Sequence, residues 1–157
     1  HYTKRTNLTI QQLKTTLLVD TATNAVLDIH VTTTRKHDTQ IGPQVVKRNA
    51  ESIAVLTADK GYDDQKLRQL ASDHNIRPLI KHREFTSLHK AWNARLDSDL
   101  YHQRNMSETV NATIKQKFGA FVRSRRWWKQ FRELVIKCVV HNLERELAIA
   151  SKEGECQ

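Results

Sequence analysis

The first part of the chain shows the partial alternation of apolar and polar residues that is typical of β-strands. Residues 11–19 and 25–33 are rich in β-branched and apolar side chains. The segment 20–24 between them is polar and has the composition of a turn. These segments predict a β-hairpin.

Helices that alternate with short strands follow the hairpin. Residues 39–50 predict a helix whose N-cap is Asp38 or Thr39. The apolar run 52–58 has no polar alternation, which predicts a strand covered on both faces. The other segments here are a helix over 63–73, with Leu67, Leu70 and Ala71 on one face, and a strand over 76–81, placed near a sheet edge by Pro78.

The second half of the chain is predicted to be mostly helical. Residues 82–99 are polar and lack periodicity, which predicts a loop, and a helix over 104–118 ends at Gly119. A long helix is predicted over 124–148, followed by a frayed tail over 151–157. The order of elements predicts one α/β domain over residues 1–150. The apolar stripe of the last helix consists of Trp127, Phe131, Leu134, Val135, Cys138, Asn142 and Leu143.

Composition narrows the class of protein. Hydrophobic residues make up 38% of the chain and Gly and Pro are scarce, which predicts a folded domain and excludes a disordered one. The sequence has no apolar run long enough for a membrane span and no signal-peptide pattern. The two cysteines, Cys138 and Cys156, form neither a disulfide framework nor a zinc motif, which predicts a reducing, intracellular environment.

The positive charge is concentrated in one segment. The formal net charge is +9, and residues 101–132 contribute +7 of it, because Glu108 is the only acidic residue among them. Such a segment is typical of proteins that bind polyanions, since phosphate contacts release condensed counterions. A basic helix face that is merely solvated is the alternative interpretation of the charge alone.

Asp59 lies where ligands of α/β proteins commonly bind. It follows the apolar run 52–58, and open sheets bind their ligands beyond the carboxyl ends of the strands. Gly61 permits a tight exit of the backbone from the strand. The structural alternative is that Asp59 only caps the next turn or helix.

Glu108 lies on a polar stripe of the predicted helix. At about 100° per residue, Glu108 shares one face with Tyr101, Arg104 and Lys115. Asn105 and Glu108 also have the spacing of a capping box, in which case only Glu108 and Lys115 share a face. Together with Asp59 and the basic surface, Glu108 suits a metal-dependent phosphoryl-transfer site, because Mg²⁺ prefers hard oxygen ligands.

The motif Tyr101-x₂-Arg104-x₃-Glu108-x₆-Lys115 resembles, spacing included, the Tyr-Arg-Glu-Lys signature of the DDE transposases of bacterial and archaeal insertion sequences. That resemblance implies that Glu108 is the third acidic metal ligand of the family. It also implies that Tyr101, Arg104 and Lys115 contact DNA near the scissile phosphate.

Two further segments are similar to the same family. Residues 58–62, A-D-K-G-Y, are similar to its second-aspartate block, and residues 32–40 resemble the segment that precedes that block. The resemblance spans residues 1–148 and is closest to haloarchaeal copies. It implies an RNase H-like fold, with a mixed sheet flanked by helices, in which Asp59 is the second acidic ligand of two Mg²⁺ or Mn²⁺ ions.

The sequence differs from the family pattern at the first aspartate. In the family it lies on the first strand of a three-strand meander, whereas this sequence predicts only two strands before the first helix. Asp20 falls in the predicted turn and not on a strand, so we do not expect it to be a ligand. The expectation is that the first strand, its aspartate and any N-terminal DNA-binding domain lie upstream of His1, and that the isolated chain binds metal poorly.

A run of cations interleaved with aromatics, residues 123–132, is typical of proteins that bind single strands by base stacking. Trp127 and Phe131 continue the apolar stripe of the last helix and are predicted to lie in the core. Trp128 is one position off the stripe and is the better candidate for an aromatic that faces DNA. The cations of the run that are predicted to contact DNA are Arg123, Arg125 and Arg126.

The leading hypothesis is a transposase that cuts and rejoins double-stranded DNA at insertion-sequence ends. It is expected to work in the cytoplasm at the nucleoid, away from membranes, and as a homodimer on DNA because two ends are joined. A truncated, inactive remnant that only binds DNA is the alternative hypothesis. A host nuclease on the same fold is a third.

Overall fold

The structure, a computed structural model, describes residues 13–34 and 36–155. This part of the chain contains two separate two-stranded sheets and six α-helices, so the α/β class is confirmed, with two small sheets in place of one mixed sheet. Short 3₁₀ turns, Ala50–Ser52 and Lys60–Tyr62, flank the third strand. In chain order the elements are β1 (Lys14–Val19), β2 (Val26–Thr32), α1 (Asp38–Asn49), β3 (Val55–Ala58), α2 (Gln65–Asp73), β4 (Arg77–Ile80), α3 (Ser87–Ala94), α4 (Ser98–His102), α5 (Asn105–Phe118) and α6 (Trp127–Glu155).

The predicted hairpin is confirmed by β1 and β2, which pair antiparallel, although residues 11 and 12 lie outside the described residues. The turn is built by short polar side chains. The carboxylate of Asp20 accepts hydrogen bonds from the backbone N–H groups of Ala22 and Thr23. Asn24 has a φ of 61°, in the left-handed region that Asn tolerates better than most residues. Asp20 is therefore occupied in the turn, as its position in the sequence suggests.

The second sheet joins β3 and β4 as parallel neighbours connected through α2. The register runs from Val55 opposite Arg77 to Ala58 opposite Ile80. A parallel pair needs a crossover connection, and the helix that supplies it buries its apolar face on the sheet. The buried core of this unit consists of Val46, Leu56, Leu67, Ala71, Ile76 and Ile80.

Two expectations for this unit need correction. The strand at 52–58 is not covered on both faces: β3 has four residues, and Val55 is 41% exposed while Leu56 packs into the core. The N-cap position of α1 is His37, which makes no side-chain cap hydrogen bond. Asp38 lies in the first helical turn, where its carboxylate forms an ion pair with Lys14 at 2.6 Å. Asp38 therefore pairs with Lys14, which is distant in the sequence, and does not cap the helix.

The predicted loop over residues 82–99 is wrong, because this segment contains α3 and the start of α4. Both helices begin at local caps. The Thr86 hydroxyl accepts from the N–H of His89, and the Asp97 carboxylate accepts from the N–H of Leu100. Thr86 and Asp97 are typical N-cap residues. Helices of eight and five residues are nevertheless too short to show a clear apolar periodicity in the sequence.

Helix α5 confirms the prediction for residues 104–118 closely, and it ends at Gly119 with a φ of 85°. Together with α6 it packs against the hairpin around a second core of Val26, Val110, Ile114 and Cys138. Helix α6 continues to Glu155, beyond the predicted end at 148. None of the helices in the described ranges is long and apolar enough to cross a membrane.

The apolar stripe predicted along α6 is buried only in part. Cys138 is buried, but Trp127, Phe131 and Leu143 are 44%, 39% and 59% exposed. The core position predicted for Trp127 and Phe131 is therefore wrong. The physical reason is that α6 is held to the hairpin through its middle, and its first turns project beyond that contact.

The contact between α6 and the hairpin is made largely by polar side chains. The Asn142 amide accepts from the N–H of Val26 at 2.8 Å and donates to its carbonyl at 2.9 Å. Arg145 donates to the carbonyl of Thr23, and the His141 ring is within hydrogen-bond distance of the carbonyl of Asn24. These bonds explain why an Asn lies on an otherwise apolar stripe.

We expect Asn142→Ala to lower the free energy of unfolding by about 2 kcal/mol, because two polar backbone groups of a buried residue lose their partner. Leu143→Ala, one position along and 59% exposed, should change it by less than about 0.5 kcal/mol. Urea unfolding followed by circular dichroism measures both. Equal effects of the two substitutions would show that the amide does not hold the helix to the hairpin.

Candidate active site

The two sheets border a common cleft. Residues of β1 and of β3 line it from the two sides, and its volume is about 220 Å³. The two strands belong to different sheets and are not hydrogen-bonded to each other. Thr16 of β1 and Tyr62, just after β3, nevertheless both line the cleft, so the first half of β1 lies near the carboxyl end of β3. Val45, Val46 and Leu67 supply apolar lining from α1 and α2.

Asp59 lies at the carboxyl end of β3 and lines this cleft. Its Oδ1 accepts from the N–H of Lys60 at 2.9 Å and so caps the 3₁₀ turn that follows. The capping interpretation is thus confirmed. The second carboxylate oxygen has no hydrogen-bond donor among the described residues, and the side chain is exposed. Capping therefore leaves Asp59 able to take a ligand.

Glu108 lies in the first turn of α5 and lines the same cleft. The residue at the N-cap position, Arg104, makes no side-chain cap hydrogen bond, and no capping box forms. Glu108 is exposed, on the side of the helix away from the buried Val110 and Ile114. The structure thus brings together the two carboxylates that the sequence singled out.

The residues of the Tyr-Arg-Glu-Lys motif do not all lie on one helix. Tyr101 belongs to α4 and precedes α5, and it is only 3% exposed. Arg104 lines the cleft beside Glu108, with its guanidinium 5.0 Å from the centroid of the Tyr101 ring. Lys115 is exposed on α5. Their roles in DNA binding stay predictions.

The basic run between α5 and α6 is exposed. Arg123, Arg125 and Arg126 lie on the surface, and none of the three forms an ion pair with an acidic side chain in the part of the chain that the structure describes. Trp128 is 47% exposed, and Lys129 and Arg132 lie 5.3 and 5.0 Å from its ring centroid. This exposure is compatible with the DNA contacts predicted for these residues.

A polar network that the sequence did not reveal fixes the turn after Asp59. The Asp63 carboxylate accepts from Arg68 at 2.7 Å and from the N–H of Arg83 at 2.8 Å, and His82 lies 3.5 Å away. Arg83 in turn approaches the carbonyl oxygens of Lys60 and Gly61 at 3.5 and 3.4 Å. Burial raises the pKa of Asp63, but the Arg83 N–H and the Arg68 guanidinium outweigh it, so this pKa lies below its ordinary value.

Tyr62 also lines the cleft. The sequence did not mark it as a site residue, although it belongs to the A-D-K-G-Y segment. Burial, with the nearby carboxylates of Asp38 and Asp59, raises the pKa of its phenol above the ordinary value. Its ring packs close to Gly42, where an added Cβ would lie 3.0 Å from the Tyr62 ring. Gly42 therefore allows the ring to pack between α1 and the cleft.

The cleft offers the type of ligand atom that a hard divalent cation prefers, but only two carboxylates of the predicted set line it in the described part of the chain. Asp59 and Glu108 offer the carboxylate oxygens that Mg²⁺ and Mn²⁺ prefer. Within residues 13–34 and 36–155, no three His, Cys, Asp or Glu side chains are grouped so that they could hold a metal. The described residues thus offer two of the predicted acidic ligands at this cleft.

An α/β domain with two carboxylates on one cleft, next to cations that have no acidic partner among the described residues, is compatible with phosphoryl transfer on nucleic acid. The sequence model of the family described as the transposase DDE domain matches residues 1–143. The chain therefore belongs to this family, which supports a transposase role and, in general terms, binding of DNA and use of divalent metal ions. Searches of curated proteins and of solved structures found no match.

We expect Asp63→Asn to lower the free energy of unfolding by about 1.5–3 kcal/mol, because it weakens hydrogen bonds made to a charged, largely buried group. The stabilisation by the ionised carboxylate is present above its ordinary pKa of 3.8 and is lost as the pH falls through the lower pKa of the folded state. The difference between the variant and the original chain should therefore shrink below that pH. Asp73→Asn, which leaves the network intact, is the control, and a difference that persists at acid pH would contradict the assignment.

Proposed function

We propose that this protein is a transposase that cleaves DNA strands at insertion-sequence ends and joins the freed 3′-hydroxyl to a phosphate of target DNA, which displaces the 3′-oxygen of the target strand. The observation that supports this best is that Asp59 and Glu108, far apart in the sequence, line one cleft between the sheets. Family membership supplies the reaction class. The spacing of the Tyr-Arg-Glu-Lys motif supports the insertion-sequence group, closest to haloarchaeal copies.

In this proposal Asp59 and Glu108 hold two Mg²⁺ or Mn²⁺ ions together with a third carboxylate. Such ions activate a water or hydroxyl group and stabilise the leaving oxygen. The third carboxylate would enter on an extended segment in the cleft, which could pair with β1 on one side and β3 on the other. That pairing would join the two sheets into the single mixed sheet of an RNase H-like fold.

The chain's own cations would bind and orient the DNA. Arg104 lies in the cleft beside Glu108, so it would hold a phosphate close to the bond that is cut, and a guanidinium does so through forked hydrogen bonds. Lys115 would contact the same strand farther along α5. Arg123, Arg125, Arg126 and Trp128 would extend the contact to neighbouring phosphates and bases. The partner is double-stranded DNA of the transposon ends and the target, bound by a homodimer at the nucleoid.

A remnant that binds DNA without cleaving it is the second candidate. The observation that favours it is that only two carboxylates of the predicted set lie at the cleft in the described part of the chain. The two candidates share the basic surface and differ in chemistry, so an activity measurement separates them.

The decisive experiment assays metal-dependent nicking of a DNA duplex that carries the element's terminal repeats. The open reading frame that contains His1 is expressed as its gene encodes it. We expect Glu108→Gln and Asp59→Asn each to lower the nicking rate at least about 100-fold, since a metal ligand is lost. Asp73→Asn should leave the rate unchanged.

Chelation by EDTA should abolish nicking and leave DNA binding in place. Nicking that is unaffected by Glu108→Gln would refute the transposase site. DNA binding without any nicking, in the original protein and in all variants, would favour the remnant.

DNA affinity should fall steeply with salt if the basic run contacts phosphates. The logarithm of the binding constant falls with the logarithm of salt concentration by about 0.9 for each phosphate neutralised. We expect the double substitution Arg125→Gln, Arg126→Gln to reduce this slope by about 1–2, and Lys47→Gln on the exposed side of α1 to leave it unchanged. Anisotropy titrations at several salt concentrations measure the slope, and equal slopes for all three proteins would exclude the run as a DNA contact.

A further inference from the structure

Lys81 directly follows β4 and begins a small basic patch, residues 81–83, beside the candidate active site. Ala58 is paired with Ile80 in the parallel sheet, so the next residues, Asp59 and Lys81, leave neighbouring strands side by side. Neighbouring strands lie about 4.8 Å apart. The backbone of Lys81 is therefore next to that of Asp59, a predicted metal ligand. Both lie at the carboxyl ends of the strands, where α/β proteins bind their ligands.

The side chain of Lys81 is directed to the same ring as that of Arg104. The Lys81 Nζ lies 4.8 Å from the centroid of the Tyr101 ring, and the Arg104 Cζ lies 5.0 Å from it. The ring itself is only 3% exposed. Two cations from different elements, the end of β4 and the turn before α5, are thus held on one buried aromatic ring.

The described part of the chain leaves both cations without a neutralising partner. In the described ranges, no acidic side chain forms an ion pair with Lys81 or with Arg104. The Nε of Arg104 is buried and has no hydrogen-bond partner there. Both side chains are half-buried, which weakens their hydration and strengthens their mutual repulsion. The electron-rich ring of Tyr101, which both cations approach, offsets part of that repulsion.

Such a pair attracts an anion that can contact both cations. A phosphate matches it, because its oxygens can accept forked hydrogen bonds from a guanidinium and a further one from an ammonium group. We propose that Lys81 and Arg104 form a two-cation phosphate site supported by Tyr101, which binds a backbone phosphate of the DNA strand next to Asp59 and Glu108. This inference rests on the proposed function, since DNA is taken as the source of the phosphate.

The proposal changes the role of Tyr101. A side chain that is 3% exposed offers little surface to DNA, but its ring lies within about 5 Å of both cations and can hold their side chains in place. Tyr101 is then a positioning residue, and what matters is its aromatic face and not its hydroxyl group.

The test measures binding of a short fluorescein-labelled DNA duplex in EDTA, so that metal and cleavage play no part. We expect Lys81→Gln to weaken binding about five- to tenfold and to lower the salt slope by about 0.9. Lys90→Gln, which removes the same charge from the exposed side of α3, should weaken binding less than about twofold.

Substitutions of Tyr101 test whether its ring positions Lys81 and Arg104. Tyr101→Phe keeps the aromatic face and should bind DNA as the original protein does, whereas Tyr101→Leu should lose binding to the extent that Lys81→Gln does. Adding Lys81→Gln to Tyr101→Leu should then cause little further loss. Circular dichroism confirms that each variant is folded, and if Tyr101→Leu is not, the comparison of Tyr101→Phe with Lys81→Gln carries the test.

Equal effects of Lys81→Gln and Lys90→Gln on affinity and salt slope would overturn the phosphate site. That outcome is independent of the nicking assay with Glu108→Gln, which tests the chemistry. A protein that fails the nicking assay but shows the Lys81 effect binds DNA phosphate at this site without cleaving it.

Discussion

The parallel register between β3 and β4 is the constraint on which the candidate site depends. Because Ala58 lies opposite Ile80, Asp59 and Lys81 leave the sheet together. The segments that follow them are joined by Asp63 and Arg83, which connect the turn after β3 to the segment after β4. Helix α4 then places Tyr101 against this edge, and α5 starts beside it. A shift of one residue in the register would separate these groups.

The contrast between Asp59 and Asp63 shows how the fold distributes charge. Asp63 is surrounded by an arginine side chain and a backbone N–H and serves as an anchor. Asp59, four positions earlier, uses one oxygen to cap a turn and keeps the other free of partners among the described residues. A group whose hydrogen-bonding capacity is already used cannot bind a ligand without cost, so the network around Asp63 leaves Asp59 as the available carboxylate.

The hairpin and the start of α5 form the other wall of the cleft, and α6 supports the hairpin from behind. Polar bonds from Asn142 and Arg145 to the backbone of the hairpin hold α6 in place, and α5 packs against both the hairpin and α6. The first turns of α6 are not needed for this contact. Their aromatic and basic side chains are therefore exposed to solvent, where a nucleic acid could reach them.

The sequence alone determined the elements whose signals are local. The turn between β1 and β2 and the end of α5 at Gly119 depend on residues a few positions apart, and both predictions were confirmed. The sequence also selected Asp59 and Glu108, because strand ends and helix faces can be inferred from periodicity.

Only the tertiary structure decided that these two carboxylates line one cleft, that Tyr101 is buried, and that Lys81 shares its ring with Arg104. It also decided that Trp127 and Phe131 are exposed. The physical reason is that burial and pairing depend on which segments meet in space. A helical stripe looks the same in the sequence whether or not another element covers it.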